Sequence, residues 1–130
     1  MKAHILTPKG VLFEGEAEGV QMPGIEGGFE VRIGHSPFVS LLDIGKLVVK
    51  TAGGPDLVFA VSGGFTEVKD NTIIVMVEQA VSADQIDIEE ESRRKEQLQQ
   101  ELAGYRIFTD EHKRTQKELR KVVNRIRVAQ

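Results

Sequence analysis

Cysteine is absent from this chain, so disulfide staples and thiolate-ligated metal or redox centres are excluded. Histidine is scarce: His4, His35 and His112 are the only three, and no two stand at a metal-ligand spacing. No apolar run approaches the roughly 20 residues that a membrane-crossing helix needs. Met1-Lys2-Ala3-His4 leads straight into a strand pattern, without the apolar segment of a secretory signal. Beyond residue 84 proline is missing altogether and glycine occurs once, as Gly104. A chain of 130 residues holds one core-forming domain and an appendage. The expectation is a soluble, cytosolic chain that can still dock on a membrane complex.

What is present falls into two parts. Up to about residue 84 the chain alternates short β-branched runs with turn residues. His4–Thr7, Gly10–Phe13, Ala17–Met22, Phe29–Ile33, Phe38–Leu42, Lys46–Thr51, Leu57–Val61, Phe65–Val68 and Thr72–Glu78 read as strands. Pro8-Lys9-Gly10, Pro23-Gly24, Gly53-Gly54-Pro55-Asp56 and Asp70-Asn71 supply turn dihedrals between them. Asp70-Asn71 between two alternating runs predicts a tight hairpin. No strand–helix–strand rhythm occurs, which excludes a parallel nucleotide-binding sheet. Many short strands at this spacing predict an antiparallel sandwich.

From residue 85 to 130 the sequence turns charge-dense and helix-forming. Asp87 is an N-cap followed by Glu89, Glu90 and Glu91, acids that suit the positive end of a helix dipole. A first helix is predicted from Ile88 to Ala103, with Gly104 as its C-terminal stop. Thr109 caps a second helix running to about Val128. Leu119, Val122, Val123 and Ile126 give that helix one apolar stripe, whereas the first carries only Ile88, Leu98 and Leu102. So little shared apolar surface makes the hairpin marginal, able to leave the sandwich or repack. The fold class is therefore mainly β plus α: an N-terminal antiparallel β-sandwich over residues 1–84 and a C-terminal two-helix hairpin over 85–130.

Charge is unevenly spread. The β part and the first helix carry more acid than base, while residues 104–130 hold about eight basic and three acidic side chains. Such a helix reads either as a solvated face or as a surface for an acidic partner.

Catalytic patterns fail one by one. Gly24-Ile25-Glu26-Gly27-Gly28 lacks the Lys-Ser/Thr ending of a phosphate loop and opens a strand, so it reads as a hairpin turn. Ala60-Val61-Ser62-Gly63-Gly64 lacks the glycine two before the serine of a nucleophile elbow, leaving Ser62 a structural hydroxyl in a tight turn. His35, beside Ser36-Pro37, has no visible nucleophile partner and reads as a turn or interface residue. Glu89, Glu90 and Glu91 are consecutive and cannot converge on one helix face. Nothing argues for catalysis within the chain.

Three segments carry a resemblance. They are Leu6-Thr7-Pro8-Lys9-Gly10-Val11-Leu12-Phe13-Glu14-Gly15, then Met22-Pro23-Gly24-Ile25-Glu26-Gly27-Gly28-Phe29 leading to Gly34-His35-Ser36-Pro37-Phe38, and Ser62-Gly63-Gly64-Phe65-Thr66-Glu67-Val68. In order and spacing they resemble the ε subunit of rotary F-type ATP synthases. The resemblance implies a non-catalytic central-rotor subunit on the cytoplasmic face of the bacterial inner membrane. Its implied partners are the γ subunit, the c-ring and the catalytic β subunit. The sandwich would help couple ring rotation to ATP synthesis, and the tail would inhibit ATP hydrolysis when extended along γ. The implied inhibitory residues are Lys113, Arg114, Lys117, Arg120, Lys121 and Arg125, together with Arg127.

The pattern departs from the family twice. Some members bind ATP through Ile/Leu-Asp-x-x-Arg-Ala, where this chain has Ile86, Asp87, Ile88, Glu89, Glu90 and Glu91. Glu90 in place of the arginine would repel phosphate, so no cofactor is expected. The loop after Glu26 usually carries an acid near Gly28 and a proline near Ile33. Here the c-ring and γ contacts are assigned instead to Glu26, Glu30, Arg32 and His35. The alternative function is a small sandwich module whose basic helix binds nucleic acid. Tyr105 and Phe108 are the only aromatics near the helices, and no helix-turn-helix pattern is present, which argues against it.

Overall fold

A computed structural model describes all residues from Met1 to Gln130. Seven strands come first: β1 Lys2–Thr7, β2 Gly10–Gly24, β3 Gly27–Arg32, β4 Phe38–Thr51, β5 Asp56–Lys69, β6 Thr72–Val77 and β7 Ala80–Ser82. A short 3₁₀ turn, Ala83–Gln85, leads to helices α1 Ile88–Ala103 and α2 Asp110–Ala129.

The strands pair in the order β1-β6-β5-β4-β2-β3, and β1 also pairs β2, so the sandwich closes on itself through its long strands. Every pairing is antiparallel except β1 with β6, which is parallel. The sequence pattern read several long strands as two. Gly10–Phe13 and Ala17–Met22 are halves of β2, as Phe38–Leu42 and Lys46–Thr51 are of β4, and Leu57–Val61 and Phe65–Val68 of β5. Each long strand bends from one sheet into the other, as corners of a packed two-sheet fold require. β5 shows this best: its first half pairs β7 and its second half pairs β6.

The corner of β5 is Ser62-Gly63-Gly64, so Ser62 lies within a strand and not in a tight turn. Gly63 and Gly64 have φ of 81° and 145°. Ser62 N donates to Gln79 O and Glu78 N to Gly63 O, each at 3.1 Å, which stitches the bend to the β6–β7 junction. The Asp70-Asn71 turn forms as the sequence suggests. Both residues have positive φ, 53° and 56°, and Lys69 pairs Thr72 across a two-residue loop.

Alternation places the core. Ala3 and Ile5 on β1, Val20 and Met22 on β2, Leu47 and Val49 on β4, and Ile73, Val75 and Val77 on β6 all point inward and are buried together. The tail adds only Leu98 and Val122 to the buried apolar residues, outside that core. α1 packs on α2, and α2 in turn packs on β4 and β5. Asp87 caps α1 by accepting from Glu90 N at 3.1 Å, and Thr109 caps α2 by accepting from His112 N at 3.2 Å. Gly104 ends α1 in right-handed geometry, φ −87°. The left-handed residue of the connection is Phe108 instead, at φ 72°.

Candidate functional site

The outer face of the sandwich carries an apolar row that no single segment announces. In β4 Leu41 pairs Phe65 of β5; Phe65 pairs Met76 of β6; Met76 pairs Leu6 of β1; Leu6 pairs Val11 of β2. Residues paired directly across strands share a face. Leu41 is 60% exposed, Phe65 39%, Met76 44% and Val11 59%, with Leu6 half-buried. Ile25, at the tip of the β2–β3 hairpin, is bonded to the same end of the row: its N–H donates to Leu41 O at 3.2 Å. One apolar stripe thus crosses five strands in register. The neighbouring row, Val39, Glu67, Ile74, His4 and Glu14, mixes apolar with polar and charged side chains. An apolar centre with a polar rim is the make-up of a protein-binding patch.

The sequence-assigned contact residues do not form one cluster. Glu26 stands exposed beside Ile25 at the hairpin tip, next to the row. His35 lies on the exposed loop before β4, stacked edge-on to Phe38 with ring centroids 5.6 Å apart. Gly34 N donates to Asn71 Oδ1 at 3.4 Å, tying that loop to the β5–β6 turn. Glu30 and Arg32 lie side by side on β3.

Glu30 is held by its own sheet. It accepts from Gln21 Nε2 at 2.9 Å, pairs Lys50 Nζ at 2.9 Å and also pairs Arg32. The Lys50 bond, with help from Gln21 and Arg32 and against some desolvation, lowers its pKa to about 2. A carboxylate that titrates lower in the folded state stabilises the fold above its unfolded pKa of about 4.3. That contribution fades as pH falls from there through about 2. Glu30→Gln is therefore expected to lower the melting temperature at neutral pH, where the contribution is full, and to flatten the acid limb between those values, so that the two proteins converge as pH approaches about 2. Melting temperature measured against pH on both proteins checks this.

The second site is the junction between tail and sandwich, where polar contacts surround a small apolar cleft of Ile44, Leu119 and Val123. Asn124 Nδ2 donates to Gly45 O at 2.9 Å and to Val61 O at 3.5 Å. Lys121 Nζ donates to Gln79 Oε1 at 3.1 Å and to Glu118 Oε1 at 3.3 Å. Arg120 pairs Asp43 at 3.3 Å. Arg125 Nε lies 3.0 Å from Glu91 Oε1 and joins the two helices. The basic residues assigned to inhibition therefore divide. Arg120, Lys121 and Arg125 are engaged in the folded tail, and Lys121 is only 8% exposed. Lys113, Arg114 and Lys117 are exposed and make no ion pair. In the degenerate nucleotide motif, Ile86 closes the 3₁₀ turn, Asp87 is spent on the α1 cap, Glu90 is exposed and Glu91 faces Arg125.

Sequence reasoning missed both the row and the Asn124 contacts. Outward apolar residues scattered over five strands look like core until the register aligns them.

Comparison with known proteins fits this architecture. The family model described as ATP synthase, Delta/Epsilon chain, beta-sandwich domain matches residues 1–83. The ATP synthase epsilon chain of Nitratidesulfovibrio vulgaris is 40% identical over 95% of this chain and 91% of its own length. That of Desulforamulus reducens is 39% identical over 97% and 94%. A chain in the cryo-EM structure of the Euglena gracilis mitochondrial ATP synthase superposes with a TM-score of 0.77 at 24% identity, over 95% of this chain and 76% of that one. A chain of the Tetrahymena thermophila mitochondrial ATP synthase central stalk/c-ring gives 0.73 at 14% identity, over 100% and 96%. At such identity these two likenesses speak to the fold alone. The matched sandwich and the near-full-length relatives make this chain a member of the ATP synthase delta/epsilon chain family, among the epsilon chains.

Proposed function

We propose that this chain is a non-catalytic rotor subunit, coupling c-ring and γ rotation to ATP synthesis at the cytoplasmic face of the bacterial inner membrane. The observation that carries the reading is the five-strand apolar row, for which the subunit itself has no cover. Its occupant is the γ subunit, with the Ile25-Glu26 tip reaching the polar loops of the c-ring. The helical tail is the regulatory part. It is fastened largely by hydrogen bonds and ion pairs, which exchange readily with water, with only a small apolar cleft of Ile44, Leu119 and Val123 beside them, and so is held weakly. Released, it extends along γ toward the catalytic β subunit and restrains ATP hydrolysis.

Phe65→Asp tests the docking surface. Phe65 sits near the middle of the row and is exposed, so the subunit is expected to melt as the wild type does. Interface centres carry most of the binding energy. Capture of γ is expected to weaken about tenfold, on the order of 1.4 kcal/mol. A folded variant that binds γ with unchanged affinity rules out the row as the γ surface.

A further inference from the structure

Sulfur is scarce in this chain, and only one sulfur-bearing side chain is open to solvent. There is no cysteine, and the three methionines are Met1, Met22 and Met76. Met1 is 5% and Met22 2% exposed, both inside the sandwich core, whereas Met76 is 44% exposed. Met76 is also the middle residue of the apolar row. It pairs Phe65 of β5 on one side and Leu6 of β1 on the other, with Leu41 and Val11 one strand further out. A cleft of about 360 Å³ opens beside it, lined in part by Leu6, Pro8, Phe65 and Val77.

An exposed thioether reacts with two-electron oxidants. Its sulfur lone pair attacks one oxygen of hydrogen peroxide, the O–O bond breaks, and a sulfur–oxygen bond forms. The sulfur is oxidised by two electrons and the peroxide is reduced. The hydrogen on the transferred oxygen goes to the departing hydroxide, which leaves as water. The product, methionine sulfoxide, carries a polar oxygen where the side chain was apolar. Nothing in the row can donate to that oxygen. Leu41, Phe65, Leu6 and Val11 have no polar side-chain atom. Glu78, in the adjoining cleft, only accepts when ionised, and Thr7 already donates its hydroxyl to Gly10 O. Beneath a partner that matches an apolar row, the sulfoxide is a buried acceptor without a donor.

We propose that Met76 is a modification site, at which an oxidant of the peroxide class converts the free subunit into a form that γ does not accept. The proposal rests on the reading of the row as the γ surface. Oxidation is confined to the unassembled subunit, because γ covers the sulfur once the rotor is built. It is reversible, since methionine sulfoxide reductases return the thioether. The row thus turns away oxidised chains and accepts them again after repair.

The test treats the full-length subunit with hydrogen peroxide, free and in complex with γ of the same organism, and follows each methionine by peptide mass spectrometry. Met76 of the free subunit is expected to gain oxygen several-fold faster than Met1 or Met22, and γ is expected to slow it several-fold. After removal of peroxide, the oxidised subunit should melt as before yet bind γ about tenfold more weakly. The two methionine sulfoxide reductases, one for each sulfur epimer, should restore its affinity. Met76→Leu, close in volume and without a thioether, should bind γ alike before and after peroxide. Met76→Gln, which places an unpaired amide at the same point, should bind as weakly as the oxidised wild type. Equal oxidation of all three methionines overturns the modification site alone. So does undiminished binding by the Met76 sulfoxide while Phe65→Asp weakens capture, or a Met76→Leu subunit that loses γ after peroxide as the wild type does. Undiminished binding by Phe65→Asp, with Met76 oxidised equally fast in the free subunit and in the complex, overturns the row as the γ surface and this inference with it.

Discussion

Gly64→Ala is expected to cost about 3–5 kcal/mol, which sums backbone strain and overpacking against atoms that cannot move aside. A Cβ at Gly64 would stand 1.9 Å from Met76 O and 2.8 Å from Val77 Cα, both backbone, and φ there is 145°. The corner of β5 can adjust only by dragging β6 with it, and β6 carries Ile73, Val75 and Val77 of the core. For a chain of this size the loss corresponds to a fall of roughly 10–20 °C in melting temperature. Gly53→Ala is the control. Its φ is also left-handed, at 75°, but a Cβ there meets nothing within 4 Å. It should cost only about 1 kcal/mol. If the two variants melt alike, the close approach of β5 to β6 does not hold the corner.

The same corner shows how far the sequence could be read. Alternating residues on both sides of Ser62-Gly63-Gly64 are plain, so strand character was legible. Their union into β5 was not, because two glycines look like a turn when the partner strands are unknown. The Asp70-Asn71 hairpin was legible, since its geometry depends on the two turn residues alone. β7 was not: at three residues it has no room for alternation, and it exists by pairing with Phe59–Val61. The helices were legible from Asp87 and Thr109, because caps act within one turn. Among the site residues, the basic charge of α2 could be counted but not sorted. Which cations are engaged depends on Asp43, Gln79 and Glu91, all remote in sequence. The apolar row needed the register of four strand pairings to appear at all.

That sorting of cations sets up two opposite effects on one readout, ATP hydrolysis by the assembled enzyme. Asn124 is 8% exposed and fastens the folded tail through the carbonyls of Gly45 and Val61. Asn124→Ala removes those bonds at a cost of about 1–2 kcal/mol to the folded tail alone. The balance between folded and extended tail should then shift about tenfold toward extension. On the proposed function, hydrolysis is expected to fall, because more enzyme would carry an extended, restraining tail. Lys113→Ala, Arg114→Ala and Lys117→Ala combined act from the other side. These residues are exposed and form no ion pair in the folded tail, so the polar contacts of the junction are kept, and alanine keeps the helix. If these cations restrain the enzyme by attraction to an acidic partner, as the proposed function has it, that attraction is lost, so hydrolysis should rise and its dependence on salt should weaken. Including Arg120 or Lys121 in that set would confuse the result, since both also hold the tail down. A rise with Asn124→Ala would mean that the folded tail, not the extended one, restrains the enzyme. No change with the triple variant, in an enzyme that loses its restraint when residues 85–130 are deleted, would assign inhibition to the shape of the extended helix and not to its charge.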